Sequence, residues 1–168
     1  MELKEILLKR RSVRKFLNTP VSEEQIEELL HAAMSGPSAC NKKPWEFYVV
    51  RDPDAMEILK RASRYTNYNA PVAIVICGNE NKMLPEPLKG YWIDDCSAAA
   101  ENILLRAVDL GLGTVWCGGY PQPRPVVKVR EALNLGEEMI PLCILFVGYP
   151  AEEPPAGDQY DASAVHYI

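Results

Sequence analysis

Histidine is almost absent from this chain: His31 and His166 are the only two in 168 residues. His31 follows a helical apolar stripe and His166 sits in a short strand-like stretch at the end. Neither is partnered by a serine or cysteine, so a nucleophile–histidine triad has no support. Clustered cysteine is absent too. The five cysteines stand at 40, 77, 96, 117 and 143. That spacing excludes a Cys-x-x-Cys pair and a zinc ribbon. Their odd number and dispersion point to reduced thiols and a cytoplasmic setting. Positive charge is not in excess: the formal net charge is −5, and the basic residues form no extended stripe, which argues against a nucleic-acid partner. No apolar run reaches the roughly 18–20 residues that cross a bilayer, and the first thirty residues read as charged and helical rather than as a leader.

What remains is an ordinary globular composition, with 48% apolar and 24% charged residues, near the average for compact domains. The length predicts a single domain over 1–168, able to bury about 70% of its unfolded surface.

Two segments carry chemistry. The first is Arg10-Arg11-Ser12-Val13-Arg14, which closes a short helix, Glu2 to about Arg10, with Leu3, Ile6, Leu7 and Leu8 on its apolar face. Three guanidinium groups and a hydroxyl within five residues form a receptor for one small dianion, because the planar fork of arginine matches phosphate oxygens. A solvated basic helix end is the plainer alternative. The second segment is Pro37-Ser38-Ala39-Cys40-Asn41-Lys42-Lys43-Pro44-Trp45. It leaves a helix capped at Ser22 and running to about Ser35, and enters a strand, Phe47 to Val50. Small and amide side chains in such a loop can bring backbone N–H groups against a flat polar heterocycle. The same residues also suit a plain turn with Trp45 as a core plug.

The rest reads as scaffold. Pro53 opens a helix through about Arg64. Residues 71–77 form a continuous apolar strand, expected to be buried on both faces. Asn79 to Gly90 reads as a covering loop. The helix from Ile93 to Leu110 is apolar on more than one face and is expected to be covered all round. Thr114 to Cys117 is a strand ending at Gly118-Gly119. Pro121, Pro123 and Pro125 break the chain before a helix from Val126 to Leu133, and Ile140 to Val147 is a last core strand. Residues 149–168 form an extended arm, Pro-rich and acidic at first, then strand-like at Ala164 to Ile168.

In order and spacing, the Arg-Arg-Ser-x-Arg and Pro-Ser-x-x-Asn-x-x-Pro-Trp segments resemble the nitroreductase family of flavin mononucleotide (FMN) enzymes. The helix Tyr91–Leu110 running into Gly111-Leu112-Gly113-Thr114-Val115-Trp116-Cys117-Gly118-Gly119, and the terminal Val165-His166-Tyr167, extend the resemblance over nearly the whole chain. It implies an α+β, three-layer α/β/α sandwich around a mixed, mainly antiparallel sheet, with the C-terminal strand exchanged in a homodimer. It implies FMN as cofactor, its phosphate held by Arg10, Ser12 and Arg14, with Arg11 near it or paired to an acid. Pro37, Ser38, Ala39 and Asn41 would line the ring, and Gly118 and Gly119 would let a backbone N–H approach N5. The chemistry would reside in the flavin, with no protein catalytic residue and no metal. The implied activity is ping-pong hydride transfer from NAD(P)H to nitroaromatic, quinone or related acceptors; the alternative is a flavin carrier or sensor without turnover. Two departures stand out. Gly157-Asp158-Gln159-Tyr160-Asp161 holds no cation where many relatives carry one, so either the arm lies elsewhere or the N-terminal arginines supply the whole charge. Lys43 replaces a common glutamine; it either faces the ring or points to solvent.

Overall fold

A computed structural model describes residues 1–168. Its helices are α1 (Leu3–Lys9), α2 (Glu23–Met34), α3 (Pro53–Lys60), α4 (Trp92–Asp109) and α5 (Pro123–Leu133). Its strands are β1 (Trp45–Val50), β2 (Val72–Asn79), β3 (Gly113–Gly118) and β4 (Met139–Gly148). The strands form one sheet in the order β1-β2-β4-β3, every neighbouring pair antiparallel. The parallel pairing expected of a mixed sheet is reduced to one isolated bridge, Ser12 to Thr114.

Alternation along the strands builds two cores. Ile74, Ile76, Cys143 and Leu145 face α2 and α4, whereas Val75, Cys77, Ile144 and Phe146 face α3 and α5. Helices on both sides explain why all eight residues of β2 are buried, as the unbroken apolar run predicts. The three-layer sandwich therefore stands.

Local chemistry sets the element ends. Ser22 and Gln25 form a reciprocal capping box at the start of α2, which satisfies two otherwise free N–H groups. The helix predicted through Arg64 stops at Lys60 because the buried Thr66 hydroxyl lies 3.1 Å from the Lys60 carbonyl and draws the chain into a turn. Pro123 and Pro125 do not break α5 but open it, since first-turn residues have no intrahelical acceptor to lose.

Two expectations fail within one chain. The helix α4 is not covered all round: Asp94 and Glu101 are exposed, and Ser97, Ala98, Leu105 and Val108 only partly buried. The terminal residues make no strand. A 3-10 turn spans Ala162–Ala164, and Val165, Tyr167 and Ile168 lie exposed. A lone strand has no ladder to join, so strand character there requires a partner edge.

Candidate functional site

The first candidate segment runs alongside β3, the sheet's edge strand. The Val13 N–H donates to the Thr114 carbonyl at 2.9 Å, and the Val13 side chain is buried against Gly113. Extended backbone sends alternate residues to opposite sides. Val13 and Arg11 line one cavity of about 500 Å³, and Arg10, Ser12 and Arg14 are absent from its walls. Arg10 approaches Glu101 of α4, with Nε 3.7 Å from the carboxylate. Arg14 is exposed, and its charge reaches far enough along β3 to act on the Cys117 thiol.

Arg11 leaves this set. Its Nε donates to the Pro155 carbonyl at 2.9 Å, and no acidic side chain pairs with it, contrary to one of the two placements expected for it. It anchors the C-terminal arm instead. The arm is fastened along the same segment by Ala151 N–H to Lys15 O, Arg14 N–H to Glu152 Oε1 at 2.8 Å, and Gly157 N–H to Leu8 O. The acidic arm thus lies against the Arg11 side, consistent with its lack of a cation.

The two glycines at the end of β3 separate in role. The Gly119 N–H donates to Leu142 O at 2.7 Å, and a Cβ there would stand 2.6 Å from the Pro141 carbonyl. Its lack of a side chain serves the strand pairing. Because ladder groups alternate in direction, the Gly118 N–H points out from the open edge. Gly118 is exposed, and a Cβ on it would meet nothing within 4 Å.

The second segment is a tight turn with three non-glycine residues in the left-handed region: Cys40 (φ 51), Asn41 (φ 54) and Lys43 (φ 50). Each such residue stores about 1–3 kcal/mol of strain, a cost that clusters at ligand sites. Inside the turn the Lys43 N–H donates to Ser38 Oγ at 3.0 Å, and the Asn41 N–H to the Ser38 carbonyl. Pro37, Cys40 and Asn41 are exposed, and Ser38 and Ala39 half-buried. Lys42 and Lys43 are both exposed and make no ion pair. Trp45 is a core residue, as its plainer reading held.

Two groups escaped the sequence reading. Asp95 of α4 is 6% exposed and accepts the Ala39 N–H at 2.7 Å. Burial pushes its carboxyl up from the usual range, with the Ala39 bond opposing and Asp94 assisting. Acidic residues in a first helical turn are common, so nothing local marked it. Arg64 stacks 4.6 Å above the Tyr65 ring without an acidic partner, and the Tyr65 carbonyl accepts from Cys117 Sγ. The backbone that follows this unpaired guanidinium therefore touches β3 at Cys117.

Of the five thiols only Cys40 is exposed. Burial pushes Cys77 and Cys117 up to about 12, and Cys96 and Cys143 up further still. No cluster of His, Cys, Asp or Glu could hold a metal ion, and no helix is long and apolar enough to cross a membrane.

Known proteins carry the same arrangement. The nitroreductase family pattern matches residues 7–68 and 58–149. A Methanothermobacter thermautotrophicus protein, provisionally named NADH dehydrogenase/NAD(P)H nitroreductase, is 40% identical over 99% of this chain and 86% of its own length. An FMN-dependent nitroreductase from Clostridium difficile superposes with a TM-score of 0.87 at 32% identity, over 96% of each chain. A Desulfovibrio desulfuricans nitroreductase-like protein, solved with FMN, superposes at 0.85 with 26% identity, over 99% of this chain and 96% of its own. With the pattern matched from residue 7 to 149 and the fold shared end to end, this chain belongs to the nitroreductase family.

Proposed function

We propose that the protein is an FMN-dependent oxidoreductase that takes a hydride from NAD(P)H and reduces nitroaromatic, quinone or related acceptors by a ping-pong mechanism. One observation carries this reading: the segment that bears Arg10, Ser12 and Arg14 pairs with β3 at Thr114, and that strand ends at Gly118, whose N–H points away from β4. Along a strand the four steps from Thr114 to Gly118 span about 13 Å. That length suits an anion grip at one end and a single hydrogen-bond donor at the other.

When bound, FMN supplies the hydride-accepting and hydride-donating centre. Arg10 and Arg14 offer charge-assisted donors to its phosphate, each such bond contributing roughly 1.5–3 kcal/mol, and the Ser12 hydroxyl adds a neutral one. The Gly118 N–H orients the ring, and its missing Cβ keeps that approach open. Pro37, Ser38, Ala39 and Asn41 line the ring, while Gly119 keeps β3 tight against β4.

The working unit is a homodimer. The strained turn leads into β1 and Gly118 ends β3, the opposite edge strand, about 14 Å away by strand spacing. A second copy can bring one chain's turn to the other's edge. In α1, Ile6 is buried, but Leu3 and Leu7 are 64% and 54% exposed, which leaves one side of that helix's apolar face uncovered. Exchange of residues 164–168 onto a partner sheet would occupy the otherwise strandless terminus.

Anaerobic addition of NADH or NADPH to the flavin-loaded protein tests the activity. The expected result is bleaching of the flavin band and its recovery on adding a nitroarene. Flavin that binds but does not bleach would instead mark a carrier or sensor.

A further inference from the structure

We infer that Asp95 is a positioning residue for the cofactor, acting through the turn at residues 37–43 rather than by touching the flavin. The inference rests on the FMN reading above and deepens it. The Ala39 N–H to Asp95 bond is the one hydrogen bond that fastens residues 37–43 to another element; the turn's other bonds run within it. Those internal bonds give the turn its shape. Asp95 determines where that shape stands relative to α4.

Packing gives no reason for a carboxylate here. Asp95 is 6% exposed, makes no ion pair, and accepts a single hydrogen bond. A buried charge without a cation is costly. The compensation is the N-terminal end of α4, where negative charge is favoured, and the strength of a charge-assisted bond to Ala39. Three of the next four residues are left-handed; just past them the Pro44 carbonyl accepts the Asn79 N–H at 2.7 Å, and Asp95 is the tie at the other end of the turn. Whichever copy's flavin the turn faces, its register depends on this bond.

The charges around Asp95 are few. Asp94 lies beside it on α4, Lys42 and Lys43 of the turn are exposed, and the turn presents only the Ala39 N–H. As pH falls, Asp95 takes up its proton above the usual carboxylate range, the Ala39 bond weakens, and FMN affinity drops. Fold stability moves the other way. A carboxyl whose folded value is raised binds its proton sooner when folded, so protonation there favours the fold. A residue that merely supported the structure would not divide binding from stability in this manner.

The test measures FMN release on dilution of the holoprotein, from acid to neutral pH, for wild type, Asp95→Asn and Asp95→Ala, with denaturant unfolding of the flavin-stripped forms alongside. At neutral pH, Asp95→Ala is expected to bind FMN about 10–100-fold more weakly, the loss of one charged hydrogen bond. Asp95→Asn keeps an acceptor oxygen, so it should fall between the two, show a shallower acid limb than the wild type (the flavin phosphate, with a second pKa of about 6, gives every form a common acid release), and be no less stable. Variants that bind FMN as tightly as wild type, or an Asp95→Asn whose acid limb is as steep as that of the wild type, would overturn the role of Asp95 and leave the FMN reading intact. Should Asp95→Ala fail to fold, the acid limb of Asp95→Asn decides alone. A wild-type protein that takes up no FMN would overturn both.

Discussion

Gly118 and Gly119 are adjacent and chemically identical, yet the structure gives them opposite consequences. Gly119→Ala forces a Cβ to 2.6 Å from the Pro141 carbonyl, an overpacking expected to cost about 1–3 kcal/mol and to lower the unfolding midpoint. Gly118→Ala meets empty space and should leave that midpoint unchanged while weakening flavin retention. The arginines divide similarly. Arg10→Ala with Arg14→Ala should yield colourless protein, whereas Arg11→Ala should keep its flavin and loosen the arm; absorbance after gel filtration and proteolysis of the arm check the two outcomes. Four buried thiols held far from ionisation leave Cys40 as the one fast site for a thiol reagent. Mass spectrometry of briefly alkylated native protein should show a single adduct. At this scale the arginines and glycines were legible as candidates, because residue type alone announces anion binding and close approach. Their division of labour was not, since it depends on which way each backbone group points.

Among the elements, the helices and strands were readable wherever one periodicity dominated. The apolar run of β2 and the capping box of α2 announced themselves. Pro123 and Pro125 were misleading, because a proline that ends one element also suits the first turn of the next. The turn at 39–43 belongs to this scale. Cys40 adopts φ 51, where glycine escapes a penalty of about 1–2 kcal/mol borne by other residues. Cys40→Gly should therefore hold or raise the thermal midpoint, within the offset set by glycine's freer unfolded chain. Nothing in the sequence of the turn displays that strain, which the surrounding contacts impose.

For the molecule as a whole, the open question is the second copy. The arm is tied to residues 8–15 as far as Gly157, and beyond it the exposed Tyr160, Val165, Tyr167 and Ile168 touch little of their own chain. A protein truncated after Gly157 keeps those ties but loses the terminal residues. It is expected to sediment as a weaker dimer or as a monomer, beside a full-length dimer. Unchanged assembly would exclude strand exchange.

The sequence by itself determined the family, the layered α+β fold and the two candidate segments proposed to hold the cofactor, because these follow from residue type, order and periodicity, all local properties of the chain. Only the tertiary structure decided that Arg11 serves the arm, that Gly118 rather than Gly119 offers a free N–H, that α4 keeps an uncovered flank, and that Asp95 fastens the strained turn. Each depends on the direction of a single bond or on a neighbour many residues away, and neither has a signature in linear spacing.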